Sequence, residues 1–196
     1  MNWQFERDEP PHTIVLDLQA RPPLGEEKKT TIDRGNRVKS KTPKTGVHGY
    51  RTPEAFAVED APIAIDISDG VQIHVPHPYA WINIKIAAGH DWLKERRGEI
   101  KAKADYDTEA SLRLKHVTDV YVLVAMLTEQ ELDEAKVLAQ KYKDNEKAIE
   151  IRNQAVELFD SEDSEGSLAL GVYARQAGID LQYETFWETL KQVISA

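Results

Sequence analysis

The sequence predicts an α+β fold, a small mixed sheet of about three strands followed by a bundle of five to six helices. Two observations carry this. β-Branched alternating segments and a hairpin signal are confined to the first 76 residues, and from Leu112 onward the apolar residues recur at helical spacing. The chain has 196 residues, enough to bury a sizeable core, and 41% hydrophobic against 30% charged residues is a globular composition.

Met1–Pro11 is charged, ends in Pro-Pro and reads as an irregular lead-in without the apolar stretch of a secretory signal. Residues 12–20, HTIVLDLQA, alternate and read as a strand. Residues 21–51 hold three of the nine prolines and four of the ten glycines, show no periodicity, and read as a long loop. TPEAFAVE, 52–59, opens on Thr-Pro and predicts a short helix. Segments 62–68 and 71–76 flank Asp69-Gly70, a strong hairpin signal. Residues 76–93 begin with prolines and place Tyr79, Ile82, Ile86 and Ala87 at helical spacing. Residues 94–110 are charged and patternless.

The next helix sets Leu114, Val117, Tyr121, Val124 and Leu127 on one stripe. Thr128-Glu129-Gln130-Glu131 has the form of a capping box that starts another. Helices over Lys147–Phe159, over the segment ending at Gly178, and over Tyr183–Ile194 complete the chain. The expected division is a partial α/β part over 1–93 and a helical part over 94–196.

Composition excludes several functions. The longest apolar run is far short of the roughly 20 residues of a membrane span. Zero cysteines exclude disulfides, thiolate metal sites and a cysteine nucleophile, and fit a cytoplasmic location. The net charge of −9 argues against a general nucleic-acid binder. The charge is uneven: residues 21–51 carry nine basic and three acidic residues, leaving 16 basic and 31 acidic residues elsewhere. Such a basic island can attract a phosphate-bearing partner. Among the six histidines, no pair has the spacing of a helical zinc site.

A few polar residues stand out. Asp17 interrupts the apolar run IVLDL, and reads either as a solvent-facing strand residue or as a carboxylate presented to a divalent metal. Lys85 lies among Trp, Ile, Asn and Ala, and is either a snorkelling lysine or a phosphate contact. Lys115, His116 and Asp119 form K-H-x-x-D. Lys115 and Asp119 are one helical turn apart, so an ordinary i,i+4 ion pair also explains them. The four tryptophans are scattered and read as core.

In order, the V-L-D-L strand, the Pro76-His77-Pro78-Tyr79-Ala80 corner, the stretch Lys85-Ile86-Ala87-Ala88 and the Lys115-His116-Val117-Thr118-Asp119 motif resemble the later part of bacterial nucleotidyltransferase-like proteins. These belong to the DNA polymerase β superfamily, and the nearest group is the abortive-infection and toxin–antitoxin type. The resemblance covers roughly residues 12–127. It implies that Asp17 is the third metal-binding carboxylate, with Mg²⁺ as the cofactor of an active form. It also implies that Lys85 and Asp119 line a nucleoside triphosphate site, with Lys115 and His116 beside them. The implied chemistry is transfer of a nucleoside monophosphate to an acceptor hydroxyl.

The family's Gly-Ser and Asp-x-Asp motif does not occur among the sixteen residues before Asp17. The expectation is therefore a truncated or degenerate relative that keeps the substrate-side half of the site and is not competent alone. An open edge in its shortened sheet would invite a homo-oligomer or a partner protein. The alternatives are a non-catalytic binding module, which uses the basic loop and the helical half, and a helical scaffold. From Thr128 on the chain has seven basic and fifteen acidic residues, which reads as a solvated helical surface or a face for a basic partner.

Overall fold

The computed structural model describes residues 52–98 apart from 69, residues 109–195, and, among the first 51 residues, only short strand segments. The chain divides into two compact units, Met1–Glu59 and Asp60–Ala196. The architecture is α+β, as the segregation of strand and helix patterns predicts.

In the first unit, β1 (Asn2–Phe5) pairs antiparallel with β2 (Ile14–Asp17), which sets Asn2 opposite Asp17. A second sheet has the order β3-β6-β5-β4, from β3 (Gln19–Ala20), β4 (Ile32–Asp33), β5 (Arg37–Val38) and β6 (Gly49–Arg51). β3 and β6 run parallel and the other neighbours antiparallel. Two expectations are corrected here. The lead-in holds a strand, and Trp3 and Phe5, two apart, are the β-formers that alternation supplies there. The segment 21–51 holds three strands of two or three residues, too short to leave a periodic trace. A 3₁₀ turn, Pro53–Ala55, follows Thr52, with Pro at its start. Ala55, Phe56, Ala57 and Val58 are buried.

The second unit opens with the predicted hairpin, β7 (Ile63–Ser68) and β8 (Val71–Val75). Gly70 has φ of 79° there, a conformation that an L side chain resists. The single sheet of about three strands is thus not what the described residues form. They form this two-stranded sheet and the two sheets of the first unit.

Among the described residues six helices follow: α1 (Pro78–Arg96), α2 (Glu109–Ala125), α3 (Glu129–Lys141), α4 (Glu146–Phe159), α5 (Glu165–Ala177) and α6 (Tyr183–Ile194). Several starts and stops have a local cause. His77 Nδ1 accepts the Tyr79 amide and caps α1, with Pro78 at its first position. Thr128 and Glu131 form the reciprocal capping box of α3. Asn145 caps α4 through the Lys147 and Ala148 amides. Gly178 ends α5 in the left-handed conformation. α1 runs three residues past its expected end at 93, because Lys94, Glu95 and Arg96 are good helix formers despite their lack of apolar pattern.

The helical core is closed by Tyr79, Ile82, Ile86 and Leu93 of α1 and Val117, Val120 and Val124 of α2. Ile151, Leu158 and Phe159 of α4, Leu170 of α5, and Leu190 and Val193 of α6 join them. Two glycines allow close approach. A Cβ on Gly89 would lie 3.4 Å from Val117, which brings α1 against α2, and one on Gly166 would lie 2.5 Å from the Leu158 carbonyl oxygen, which brings α5 against the end of α4. The Phe159 ring meets Phe186 edge-on at 5.4 Å, and the Tyr183 hydroxyl donates to the Phe159 carbonyl at 2.6 Å, tying α6 to α4.

Candidate functional site

The α1–α2 seam carries the chemistry. Lys85 sits near the middle of α1 and Asp119 near the middle of α2, thirty-four residues apart, and their side chains meet at 2.6 Å from Nζ to Oδ2. One helical turn further along α1, Gly89 faces Val117, so residue numbers rise on α1 as they fall on α2. The two helices therefore cross in opposite directions, and the seam is fixed by a small residue on one side and a β-branched one on the other. The ion pair lies at the edge of this packing, with side-chain exposures of 20% for Lys85 and 26% for Asp119. Both ends reach water, yet most of each side chain is covered.

An open cleft of about 340 Å³ runs over the pair, lined by Trp81, Lys85, Asp119, Val122 and Leu123. Its composition follows from helical geometry. Trp81 and Lys85 are four apart on α1, and Asp119, Val122 and Leu123 are three and four apart on α2, so each set occupies one face. One cation, one carboxylate, one indole and two aliphatic side chains thus share a single recess. A larger groove of about 400 Å³ lies between α2, α3 and α6, but Glu129 is the only charged residue lining it.

Asp119 pairs with Lys85 across the seam and not with Lys115 on its own helix, so the plain i,i+4 reading of the K-H-x-x-D motif does not describe the geometry. Lys115 is exposed at the same end of α2. His116 is half-buried, and its Nδ1 is buried without a hydrogen-bond partner among the described residues. Burial lowers its pKa first, and the nearby Lys85 and Lys115 cations lower it further, against the opposing pull of Asp119. It is therefore a neutral imidazole at neutral pH. Asp17 closes β2 in the first unit, whereas Lys85, Lys115, His116 and Asp119 belong to the second.

The donor set bears on Mg²⁺. Among the described residues there is no group of three or more His, Asp or Glu that could hold a metal. Asp119 is a single carboxylate already bonded to Lys85. A two-metal centre needs several oxygen ligands converging on each ion, so these residues do not fit one, and no transfer step is derived through it.

A second polar cluster has a structural role. His90, almost fully buried on α1, bonds Glu157 of α4 at 2.7 Å between Nε2 and Oε2. Arg97, just past the end of α1, bonds the same Glu157 and reaches Glu165 of α5 at 3.1 Å. The bonds from His90 and Arg97 hold the Glu157 carboxyl below the usual range, with the histidine bond the larger cause. This cluster ties α1 to α4 and α5. His77, fully buried, has its pKa lowered by burial despite Glu134 and Glu131 nearby.

Three lining residues lie outside the sequence-based candidates: Trp81, Val122 and Leu123. Their spacing from Lys85 and Asp119 was the available signal, since a helix puts each within one turn of a candidate. Comparison of the chain with known protein families, with curated proteins and with solved structures finds no match. No helix among the described residues is long and apolar enough to cross a membrane.

Proposed function

We propose that the α1–α2 cleft binds a nucleoside triphosphate, and that the protein is a nucleotidyltransferase-like chain keeping the substrate-side half of such a site. The observation that carries this reading is the Lys85–Asp119 pair. Two residues thirty-four positions apart, both singled out by the motif order, meet at 2.6 Å in an open recess. An ammonium has three N–H donors, and Asp119 takes one, which leaves donors for phosphate oxygens. Asp119 orients the ammonium. Lys115, exposed one turn before Asp119 on α2, is a second cation on that helix. Neutral His116 adds no competing charge behind the pair.

In this reading the chain binds the nucleotide and does not by itself complete the transfer chemistry. The test is titration calorimetry of the full chain with MgATP, on wild type and Lys85→Ala. Binding that falls at least about tenfold in Lys85→Ala is expected from loss of a charge-assisted contact. Unchanged binding in that variant, or none in wild type, rejects the reading.

A further inference from the structure

The geometry points to a second recognition element in the same cleft: Trp81, backed by Val122 and Leu123, is a wall for the planar base of the nucleotide. This makes the site purine-preferring but indifferent to the identity of the purine. The inference rests on the nucleotide reading above and adds what part of the ligand is read, and how.

Five of the described residues line the recess. Lys85 and Asp119 account for an anion and for one polar contact. The other three present an indole and two aliphatic surfaces. Trp81 is half-buried, one turn before Lys85 on the same face of α1, so part of its ring belongs to the helix packing and part to the recess. Val122 is 37% exposed, so part of its side chain is open to the recess. An indole and branched aliphatic groups bordering an opening, with a cation one turn away, suit a flat ring that carries an anionic tail. At about 340 Å³ the recess is of the order that a nucleoside-sized ligand fills.

The same composition sets the selectivity. Telling adenine from guanine requires donors and acceptors placed against the ring edge. Among the described residues, the lining offers Lys85 and Asp119, which are bonded to each other, and otherwise a single donor, the Trp81 indole N–H. Stacking is tolerant of base identity because every base has a π-face, and it favours the larger ring system. The cleft therefore distinguishes two rings from one, and not one purine from another.

The experiment is calorimetry on the full chain with three probes, MgATP, MgCTP and magnesium tripolyphosphate. The proteins are wild type, Trp81→Ala, Trp81→Phe and Lys85→Ala, each checked for its helical circular-dichroism signal. Trp81→Ala should weaken MgATP about tenfold, weaken MgCTP less, and leave tripolyphosphate within about twofold, with most ATP affinity kept in Trp81→Phe. In a separate titration of wild type, MgGTP should match MgATP within about twofold. If Lys85→Ala abolishes ATP binding while Trp81→Ala leaves it within twofold, the base wall is wrong and the nucleotide reading survives. Equal losses for ATP and tripolyphosphate in Trp81→Ala would mean that the ring acts only through helix packing, which also overturns the inference. Absence of binding by all three probes overturns both.

Discussion

Replacing the Lys85–Asp119 pair by apolar side chains should separate its part in stability from its part in binding. The two side chains are roughly three-quarters covered and their charged atoms are 2.6 Å apart. Fully exposed pairs are worth about 0.2–1 kcal/mol, while removing one member of a buried pair costs about 3–5 kcal/mol. This pair lies between, so Lys85→Met and Asp119→Leu should each cost about 1.5 kcal/mol, because each leaves a half-covered charge alone. The double variant leaves no charge unpaired and extends the apolar lining of Val122 and Leu123, so it should lie within about 0.5 kcal/mol of wild type. The coupling is then about 2.5 kcal/mol, inside the range for residues in direct contact. In a chain of this size about 1.5 kcal/mol corresponds to about 3–6 °C in Tm. Urea unfolding gives the energies, and calorimetry with MgATP gives the affinity of all four proteins. Stability should return in the double variant while binding does not. A double variant destabilised by the sum of the singles would refute the contact, and one that still binds MgATP would refute its role.

The remaining predictions concern the scaffold. Gly166→Ala should cost about 1–3 kcal/mol, because its Cβ would meet the Leu158 carbonyl at 2.5 Å, whereas Gly171→Ala on the same helix, with Arg175 Nη1 at 3.6 Å as its nearest contact, should gain up to about 1 kcal/mol; equal urea midpoints for the two would contradict this. Thr128→Ala removes the hydroxyl half of the α3 capping box and should cost about 1 kcal/mol in the same assay, with no cost counting against the cap. Acidification should weaken the fold in two stages. His77 and His116 have lowered folded pKa values, so their contribution is complete above about pH 6.5 and is lost as pH falls toward those values. Glu131 and Glu157, also lowered, contribute above about pH 4.5 and lose it further down. A Tm series from pH 8 to 4 should fall in that order, less steeply above pH 5 in His116→Phe, and a His116→Phe series as steep as wild type would contradict the assignment.

The helical half is plain in the sequence because most of its helices carry a periodic apolar stripe, and several have an end signal with a chemical reason. Thr128 with Glu131, Pro78 after His77 and Gly178 are all local signals, and local signals survive tertiary packing. Ile14–Asp17 lies inside the alternating segment 12–20, whereas the strands Ile32–Asp33, Arg37–Val38 and Gly49–Arg51 are hidden for the opposite reason. Segments of two or three residues hold their pairing through contacts with distant segments, which no window of neighbours records. In the site, Lys85 and Asp119 stand out as polar residues in apolar helices. Their partnership does not, since a ladder along α2 offered Asp119 the nearer cation, Lys115. Trp81 was legible only as core. A tryptophan at the edge of a helix seam has the same sequence environment as one inside it, and only the position of α2 decides which face stays open.

The central claim is that the recess between α1 and α2 is a nucleotide site, and two-dimensional NMR of the full chain titrated with MgATP tests it most directly. The account predicts saturable shifts of the Trp81 indole and of backbone amides around Lys85 and over 115–123, with no comparable change around the groove lined by Leu132 and Phe186. Shifts centred elsewhere, or a spectrum unchanged at millimolar MgATP, would contradict it.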